Sequence, residues 1–202
     1  MRLAINGWFL AQPYTGSGQY LYGLLKHLPH AASDLEIHVV SPVPADVPAG
    51  CQIHVLDVAD SGLGKGRFEQ LDFQGFAHRL GVDLIHVPYW APPIKSSLPF
   101  VVTVHDIIPL LLPEHRGSLL ARLYTSMISA ATSGAATIIA DSHSSREDII
   151  SSLHVPSHKV RTIHLAVSQM YKPSVDMEMD PRVRRKYNLP ESYVLYLGGF
   201  HK

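Results

Sequence analysis

The chain has 202 residues, 46% of them hydrophobic and 17% charged, which is ordinary for a folded globular protein and argues against disorder. Its 17 Lys and Arg residues balance its 17 Asp and Glu residues, so no overall charge would recruit nucleic acid or anionic lipid. The single cysteine, Cys51, excludes an internal disulfide framework. It also fits a reducing compartment, so we expect a cytoplasmic protein.

The 13 histidines do not form a metal-binding pattern. No pair has the spacing of a zinc-binding helix, and one cysteine cannot build a cysteine cluster. Four of the histidines lie in apolar, strand-like runs, where packing in the core or on a sheet face is expected: His38, His54, His86 and His164. We therefore predict that the chain binds no metal.

Three strands are predicted in the first 60 residues, at 2–6, 36–40 and 52–58. The helix between the first two strands ends near Pro29. Its leucines recur at i, i+3, i+4 and i+7, which places them on one core-facing stripe: Leu21, Leu24, Leu25 and Leu28.

The glycine-rich stretch 61–66 predicts a flexible link, and a second helix follows it and stops before Gly81. The apolar face of this helix carries Phe73, Phe76, Ala77 and Leu80. Strands at 83–87 and 100–104 come next. The second of them is a β-branched run without polar alternation, which is typical of a parallel strand covered on both faces.

A long helix at 118–133, a strand at 136–140, a helix from Ser144 and a strand at 159–165 complete the pattern. Ser144 and Glu147 have the spacing of a capping box. Strands that alternate with helices predict an α/β domain with a doubly wound, mostly parallel, Rossmann-like sheet. We place this domain at residues 1–169.

The pattern changes after Val167. Residues 170–180 lack periodicity and predict a linker, and Asp180-Pro181 predicts the start of a short basic helix at 182–186. An apolar strand is predicted at 193–197, before Gly198-Gly199. One strand behind a linker cannot bury its faces, so residues 170–202 are expected to begin a second domain.

Four loops are predicted to meet at one edge of the sheet, because each follows a strand whose carboxyl end lies there. Open α/β sheets bind their ligands at that edge. The loops contain Gly16-Ser17-Gly18, Tyr89-Trp90, His105-Asp106 and Ser142-His143.

The glycine loop directly precedes the first helix, whose amides and positive end favour an anion such as phosphate. An ordinary glycine-rich helix start is the alternative. Nine residues separate Asn6 from Gly16 and the third glycine is absent, which does not fit a nicotinamide-binding fingerprint. No Gly-Lys-Ser/Thr ending follows, so the loop is not a P-loop either.

His105 is the candidate catalytic residue, because imidazole can act in either protonation state near neutrality. Asp106 would orient this ring or bind a substrate hydroxyl, or else cap the next turn. Tyr89 and Trp90 would offer an apolar face to a sugar ring, or else pack in the core. Ser142 and His143 are expected to cap a helix.

Three segments resemble the N-terminal half of the retaining glycosyltransferases of family 4, which have the GT-B fold. They are Thr-Gly-Ser-Gly-Gln-Tyr at 15–20, Val-His-Asp-Ile-Ile-Pro at 104–109 and Ala-Asp-Ser-His-Ser-Ser at 140–145. Residues 193–200 resemble the first strand and glycine turn of that family's nucleotide-sugar domain. The family often ends its seventh strand with Asn-Gly-Val-Asp, whereas this chain has His-Leu-Ala-Val-Ser at 164–168.

The resemblance implies a nucleotide-sugar-dependent hexosyltransferase with its active site between two Rossmann-like halves. This chain would supply the acceptor-binding half, with the glycine loop near the donor diphosphate or the acceptor and His105 near the transferred sugar. Gly198 and Gly199 would belong to the donor-binding domain.

The family's paired glutamates and diphosphate-binding cations lie in the C-terminal half. Residues 1–202 alone are therefore expected to be inactive, and no cofactor is implied beyond the nucleotide-sugar donor.

The acceptor implied by the resemblance is a glycan or a lipid-linked sugar. Arg116 and Arg122 stand beside leucines of the 118–133 helix, so peripheral contact with the inner face of a membrane is one hypothesis, and an ordinary packed helix is the other. A stand-alone, non-catalytic sugar- or phosphate-binding module is the alternative to an enzyme, and purely structural rim residues are a third interpretation.

Overall fold

The computed structural model describes residues 1–59, 61–168, 171 and 181–196. The chain divides into two units, Met1–Leu165 and Ala166–Lys202. The first unit contains a seven-stranded sheet in which every pair of neighbouring strands is parallel. The prediction of a doubly wound α/β sheet is therefore confirmed.

The sheet order is β3-β2-β1-β4-β5-β6-β7. The strands are β1 Arg2–Asn6, β2 Glu36–Ser41, β3 Cys51–Val55, β4 Leu84–Val87, β5 Phe100–Val104, β6 Thr137–Ala140 and β7 Val160–Thr162. The helices are α1 Gly16–Ala31, α2 Gly62–Arg67, α3 Phe73–Leu80, α4 Ile108–Leu111, α5 Leu119–Thr132, α6 His143–Leu153 and α7 Pro181–Tyr187. No helix in the described residues is both long enough and apolar enough to cross a membrane.

Alternate residues of the central strands pack against opposite faces of the sheet. Leu3 and Ile5 of β1 join the cluster that contains Leu21 and Leu25 of α1. Ala4, between them, joins the cluster on the other face, which includes Phe68, Phe73 and Ala77. Both faces are covered, which explains why the strands read as continuous apolar runs.

The prediction of a flexible link at 61–66 is wrong, because α2 occupies this stretch. The Ser61 side chain accepts a hydrogen bond from the Gly64 amide at 3.0 Å and caps the helix. A π-helical turn at Phe68–Asp72 then connects α2 to α3. The predicted end of the helix before Gly81 is confirmed, since Gly81 is left-handed with φ 65°.

The predicted start of α6 is also wrong. Ser142, not Ser144, is the N-cap, and its side chain accepts from the Ser145 amide at 3.0 Å. The expectation that Ser142 acts as a cap residue is confirmed. Strand β7 is shorter than predicted and ends at Thr162, so His164 lies outside it and is exposed.

In the second unit, α7 confirms the short basic helix. The predicted strand at 193–197 is not formed over its described residues, because none of 193–196 is paired with a neighbouring strand. An isolated strand lacks partners for its backbone groups. The predicted cap at Asp180, Gly198-Gly199 and, apart from residue 171, the predicted linker at 170–180 lie outside the described residues.

Candidate active site

The sheet places the four predicted loops at one edge, as expected. β1, β4, β5 and β6 are consecutive in the sheet and parallel, so their carboxyl ends point the same way. The chain order reverses between β1 and β4, because β2 and β3 extend to one side and the later strands to the other. A crevice forms at such a switch point in doubly wound sheets, and it is where they bind ligands.

His105 is held from both neighbouring strands. Val104 pairs with Ala140 across β5 and β6, so His105 and Asp141 leave the sheet side by side. The His105 Nδ1 and Asp141 Oδ2 atoms are 2.7 Å apart, and Nε2 is 3.2 Å from the Pro88 carbonyl oxygen after β4. Both ring nitrogens face acceptors, so a protonated imidazole can donate to both of them. The ring is fixed in position at the carboxyl edge of the sheet.

Asp141 holds a carboxylate in a largely enclosed place. Its side chain is 15% exposed, and its second oxygen, Oδ1, is buried and has no hydrogen-bond partner in the described part of the chain. His105 therefore supplies the hydrogen bond that Asp141 makes there. A carboxylate in this position fixes the orientation of the imidazole.

Asp106 does not orient His105. Its Oδ1 accepts a hydrogen bond from the Ile108 amide at 3.1 Å, which is the local turn-capping alternative. The side chain is exposed, so a contact with a substrate hydroxyl stays a prediction.

Tyr20 connects the first helix to His105. Its ring meets the His105 ring edge to face, with centroids 4.8 Å apart, and its hydroxyl is 3.1 Å from Thr103 Oγ1. The pKa of Tyr20 is raised, chiefly by burial and further by the charge of Asp141, while its hydrogen bond to Thr103 acts in the opposite direction. Tyr20 therefore stays a neutral phenol that packs α1 against the edge of β5.

His86 contacts the same Thr103 side chain from within the core. Its Nε2 is 3.0 Å from Thr103 Oγ1, and the side chain is buried. Burial, with a smaller contribution from the charge of His105, lowers the pKa of His86 to about 4. His86 is therefore a neutral core histidine near pH 7, as the sequence predicts.

Tyr89 and Trp90 are engaged in packing. Tyr89 is buried, and its hydroxyl donates to Asn6 Oδ1 at 3.2 Å. Trp90 is half-buried, and its indole N–H donates to Thr132 Oγ1 at 3.1 Å. These contacts favour the core-packing interpretation, and stacking on a sugar stays a prediction.

The glycine loop forms the first turn of α1. Thr15 is the N-cap, and its Oγ1 accepts from the Gly18 amide at 3.1 Å. Gly16 and Ser17 occupy the first helical positions, whose amides have no acceptor within the helix. The start of α1 can therefore donate hydrogen bonds to an anion, which is the proposed use of this loop.

Alanine substitutions should distinguish Gly18, which the fold requires, from Gly16, which can contact a ligand. A Cβ on Gly18 would lie 2.1 Å from the Gln12 carbonyl oxygen, whereas a Cβ on Gly16 would meet nothing within 4 Å. We expect Gly18→Ala to lower the free energy of unfolding by about 2 kcal/mol through overpacking. Gly16→Ala should leave it unchanged within about 0.5 kcal/mol, as a substitution without a clash does. Urea denaturation of both variants measures this, and equal losses would contradict it.

Sequence reasoning missed Asp141, Tyr20 and Thr103. Asp141 carried a usable signal, because it is the first polar residue after β6, as His105 is after β5. Tyr20 and Thr103 gave no local signal, since each matters through a partner 83 residues away in sequence. No group of three or more potential metal ligands occurs in the described residues, and the expectation of no metal stays a prediction.

The chain matches the sequence profile of a known family, Glycosyltransferase Family 4, over residues 14–169. No curated protein matches it by sequence. Among solved structures, it is similar to Anabaena Alr3699/HepE in complex with UDP, with a TM-score of 0.54 and 18% identity over 93% of this chain and 50% of that one. It is also similar to the same Anabaena protein in complex with UDP and glucose, with a TM-score of 0.54, 16% identity and the same coverage of 93% and 50%.

A plant structure gives the same result at lower identity. The complex of Phytolacca americana UGT2 with UDP-2fluoro-glucose and pterostilbene has a TM-score of 0.55 and 8% identity, over 83% of this chain and 55% of that one. Likeness at these identities concerns the fold, and the chain spans about half the length of these structures. The family match covers more than half of the chain, so the chain belongs to Glycosyltransferase Family 4 and has the fold of the N-terminal half of the GT-B glycosyltransferases.

Proposed function

We propose that the chain is the acceptor-binding half of a glycosyltransferase that transfers a hexose from a nucleotide-sugar to a glycan or lipid-linked acceptor. The observation that carries this proposal is the His105–Asp141 pair, fixed at the carboxyl edge of the sheet and packed against Tyr20 of α1. This pair and the start of α1, whose first amides can donate hydrogen bonds, both lie at that edge of the sheet. Complexes of similar folds with UDP and UDP-glucose support a nucleotide-sugar donor.

The reaction breaks the bond between the anomeric carbon and the diphosphate and forms a bond from that carbon to an acceptor hydroxyl, whose proton passes to the departing diphosphate. Negative charge grows on the diphosphate as it leaves. In this proposal the amides of Gly16 and Ser17 face that charge, and His105 lies near the transferred sugar. Retention of anomeric configuration is proposed from the family resemblance.

The proposal assigns acceptor binding and donor binding to two different domains. Residues 170–202 would lead into a nucleotide-sugar domain that includes Gly198 and Gly199 and supplies the cations for the diphosphate. Residues 1–202 alone would bind acceptor without catalysing transfer. If no protein that contains residues 1–202 transfers sugar, the alternative of a stand-alone binding module is favoured.

A donor screen tests the proposed function. Release of nucleoside diphosphate is measured with a panel of nucleotide-sugars and sugar acceptors, for the complete enzyme and for residues 1–202. We expect acceptor-dependent release from the complete enzyme and none from residues 1–202. Transfer by residues 1–202 that disappears in His105→Ala would refute the division between domains, and no release with any donor would refute the enzyme.

A peripheral membrane surface is part of this proposal. Leu119 and Leu120 of α5 are 82% and 75% exposed, and Leu123 and Met127 continue the same helical face. Arg116 and Arg122 are exposed beside them, with Glu114 as the acidic neighbour. Leucines flanked by arginines suit an anionic bilayer, where a lipid-linked acceptor would reside at the inner, cytoplasmic face.

Vesicle co-sedimentation measures this contact. Replacing Leu119 and Leu120 with serine removes apolar surface from the face, so we expect binding to anionic vesicles to fall by about tenfold or more. Leu63→Ser is the matched control, because Leu63 is 87% exposed on α2. Equal binding by the double variant and the control would exclude this surface.

A further inference from the structure

A cavity of about 470 Å³ opens beside edge strand β7 and the first turns of α6. Its lining is basic and hydroxylic, and it includes His143, Arg146, Ser157, His158, Arg161 and Thr162. None of the described residues that line it is acidic. The two guanidinium groups create a positive potential in this cavity.

Arg146 forms a fixed part of this lining. Its Nε donates to the Val160 carbonyl oxygen at 3.1 Å, and its Nη2 donates to the Ser157 carbonyl oxygen at 3.0 Å. Both acceptors are neutral, so the positive charge of Arg146 is positioned without being neutralised. A guanidinium ordered before a ligand arrives loses little entropy on binding.

Arg161 supplies the second cation. It lies in the middle of edge strand β7, it is exposed, and it lines the cavity. Among the described residues it has no acidic partner. The Thr162 hydroxyl, 3.5 Å from His143 Nδ1, adds a polar group to the same wall.

The cavity adjoins the candidate active site. His143, in its lining, follows Asp141 by two residues, and its ring packs against His164 at a centroid distance of 5.3 Å. His164 Nδ1 is in turn 3.2 Å from the Asp141 carbonyl oxygen. These contacts connect the cavity lining to Asp141, whose Oδ2 is 2.7 Å from His105 Nδ1.

We propose that this cavity binds a phosphate group carried by the acceptor. Arginine guanidinium groups bind phosphate oxygens through paired, charge-assisted hydrogen bonds, and serine and threonine hydroxyls complete such sites. The binding of phosphate is inferred from the cavity alone. The assignment of this phosphate to the acceptor rests on the proposed function. Both a lipid phosphate headgroup and a soluble sugar phosphate present this chemistry.

Titration of the 202-residue chain with inorganic phosphate at constant ionic strength tests the site, with backbone amide NMR as the readout. We expect saturable shifts at residues 143–146 and 157–162. Arg161→Gln should weaken the affinity about tenfold, the loss expected for one hydrogen-bonded charge. Lys26→Gln is the matched control, since it removes the same charge from an exposed position of α1.

The proposal is overturned if the shifts do not saturate, or if Arg161→Gln and Lys26→Gln bind phosphate equally. Glucose 1-phosphate, and phosphatidylcholine vesicles with and without phosphatidic acid, then distinguish the two sources. Arg161-dependent binding of the sugar phosphate assigns a soluble acceptor, and Arg161-dependent binding of the phosphatidic acid vesicles assigns a lipid. Because phosphate binding needs no sugar transfer, failure here is distinct from failure of the donor screen.

Discussion

Replacement of His105 by alanine is expected to lower kcat for sugar transfer by about 10²- to 10³-fold in the complete enzyme, the range for loss of one preorganised electrostatic group. The variant removes the imidazole that Asp141 and the Pro88 carbonyl hold at the sheet edge. Donor binding should change little, because the proposed diphosphate contacts lie elsewhere. Nucleoside diphosphate release at saturating donor measures the effect, with His78→Ala, an exposed helix histidine, as control.

The fold must be measured beside the activity. Without His105, the Asp141 carboxylate keeps a buried oxygen that has no partner and loses the bond to its other oxygen. Leaving such a group unpaired costs about 1–3 kcal/mol, so His105→Ala should also be less stable. His105→Gln restores a donor to Asp141 without a protonatable ring. This variant should recover stability but not kcat. A glutamine variant with full activity would show that the imidazole of His105 takes no part in the reaction.

Acidification from pH 6.5 to 4 is expected to destabilise the first unit by about 3 kcal/mol through His86 alone. His86 is buried, and its pKa is about 4 in the folded chain against an ordinary 6.5. Between these values the unfolded chain binds a proton that the folded chain does not. The contribution of neutral His86 to the free energy of unfolding is therefore complete above pH 6.5 and falls as the pH drops toward 4. His54, whose pKa is lowered by burial and by the charge of His38, adds in the same direction.

Urea denaturation at intervals between pH 4 and 7 measures this dependence. His86→Gln keeps a polar partner for Thr103 and cannot titrate in this range, so its stability should vary less with pH than that of the unsubstituted chain. His78→Gln, in which the exposed histidine is replaced, should keep the original dependence. An unchanged slope in His86→Gln would show that His86 is not the group responsible.

Local patterns in the sequence were sufficient to predict the sheet and the edge at which the four loops meet. β-branched runs separated by amphipathic helices require a parallel sheet covered on both faces, and the residue after each such run must then lie at the carboxyl edge. His105 and the glycine loop do follow strands whose carboxyl ends lie at this edge. It failed at 61–66, where Ser61 caps a helix that glycine content argued against.

Only the tertiary structure decided which groups His105 contacts. Its carboxylate partner is Asp141, 36 residues away, and not the adjacent Asp106. The choice depends on the pairing of Val104 with Ala140, which sets the two side chains at the same level on neighbouring strands. The cavity beside β7 depends likewise on how α6 packs against the edge strand. Neither register nor helix packing is encoded within one segment, because both are set by contacts between elements distant in the chain.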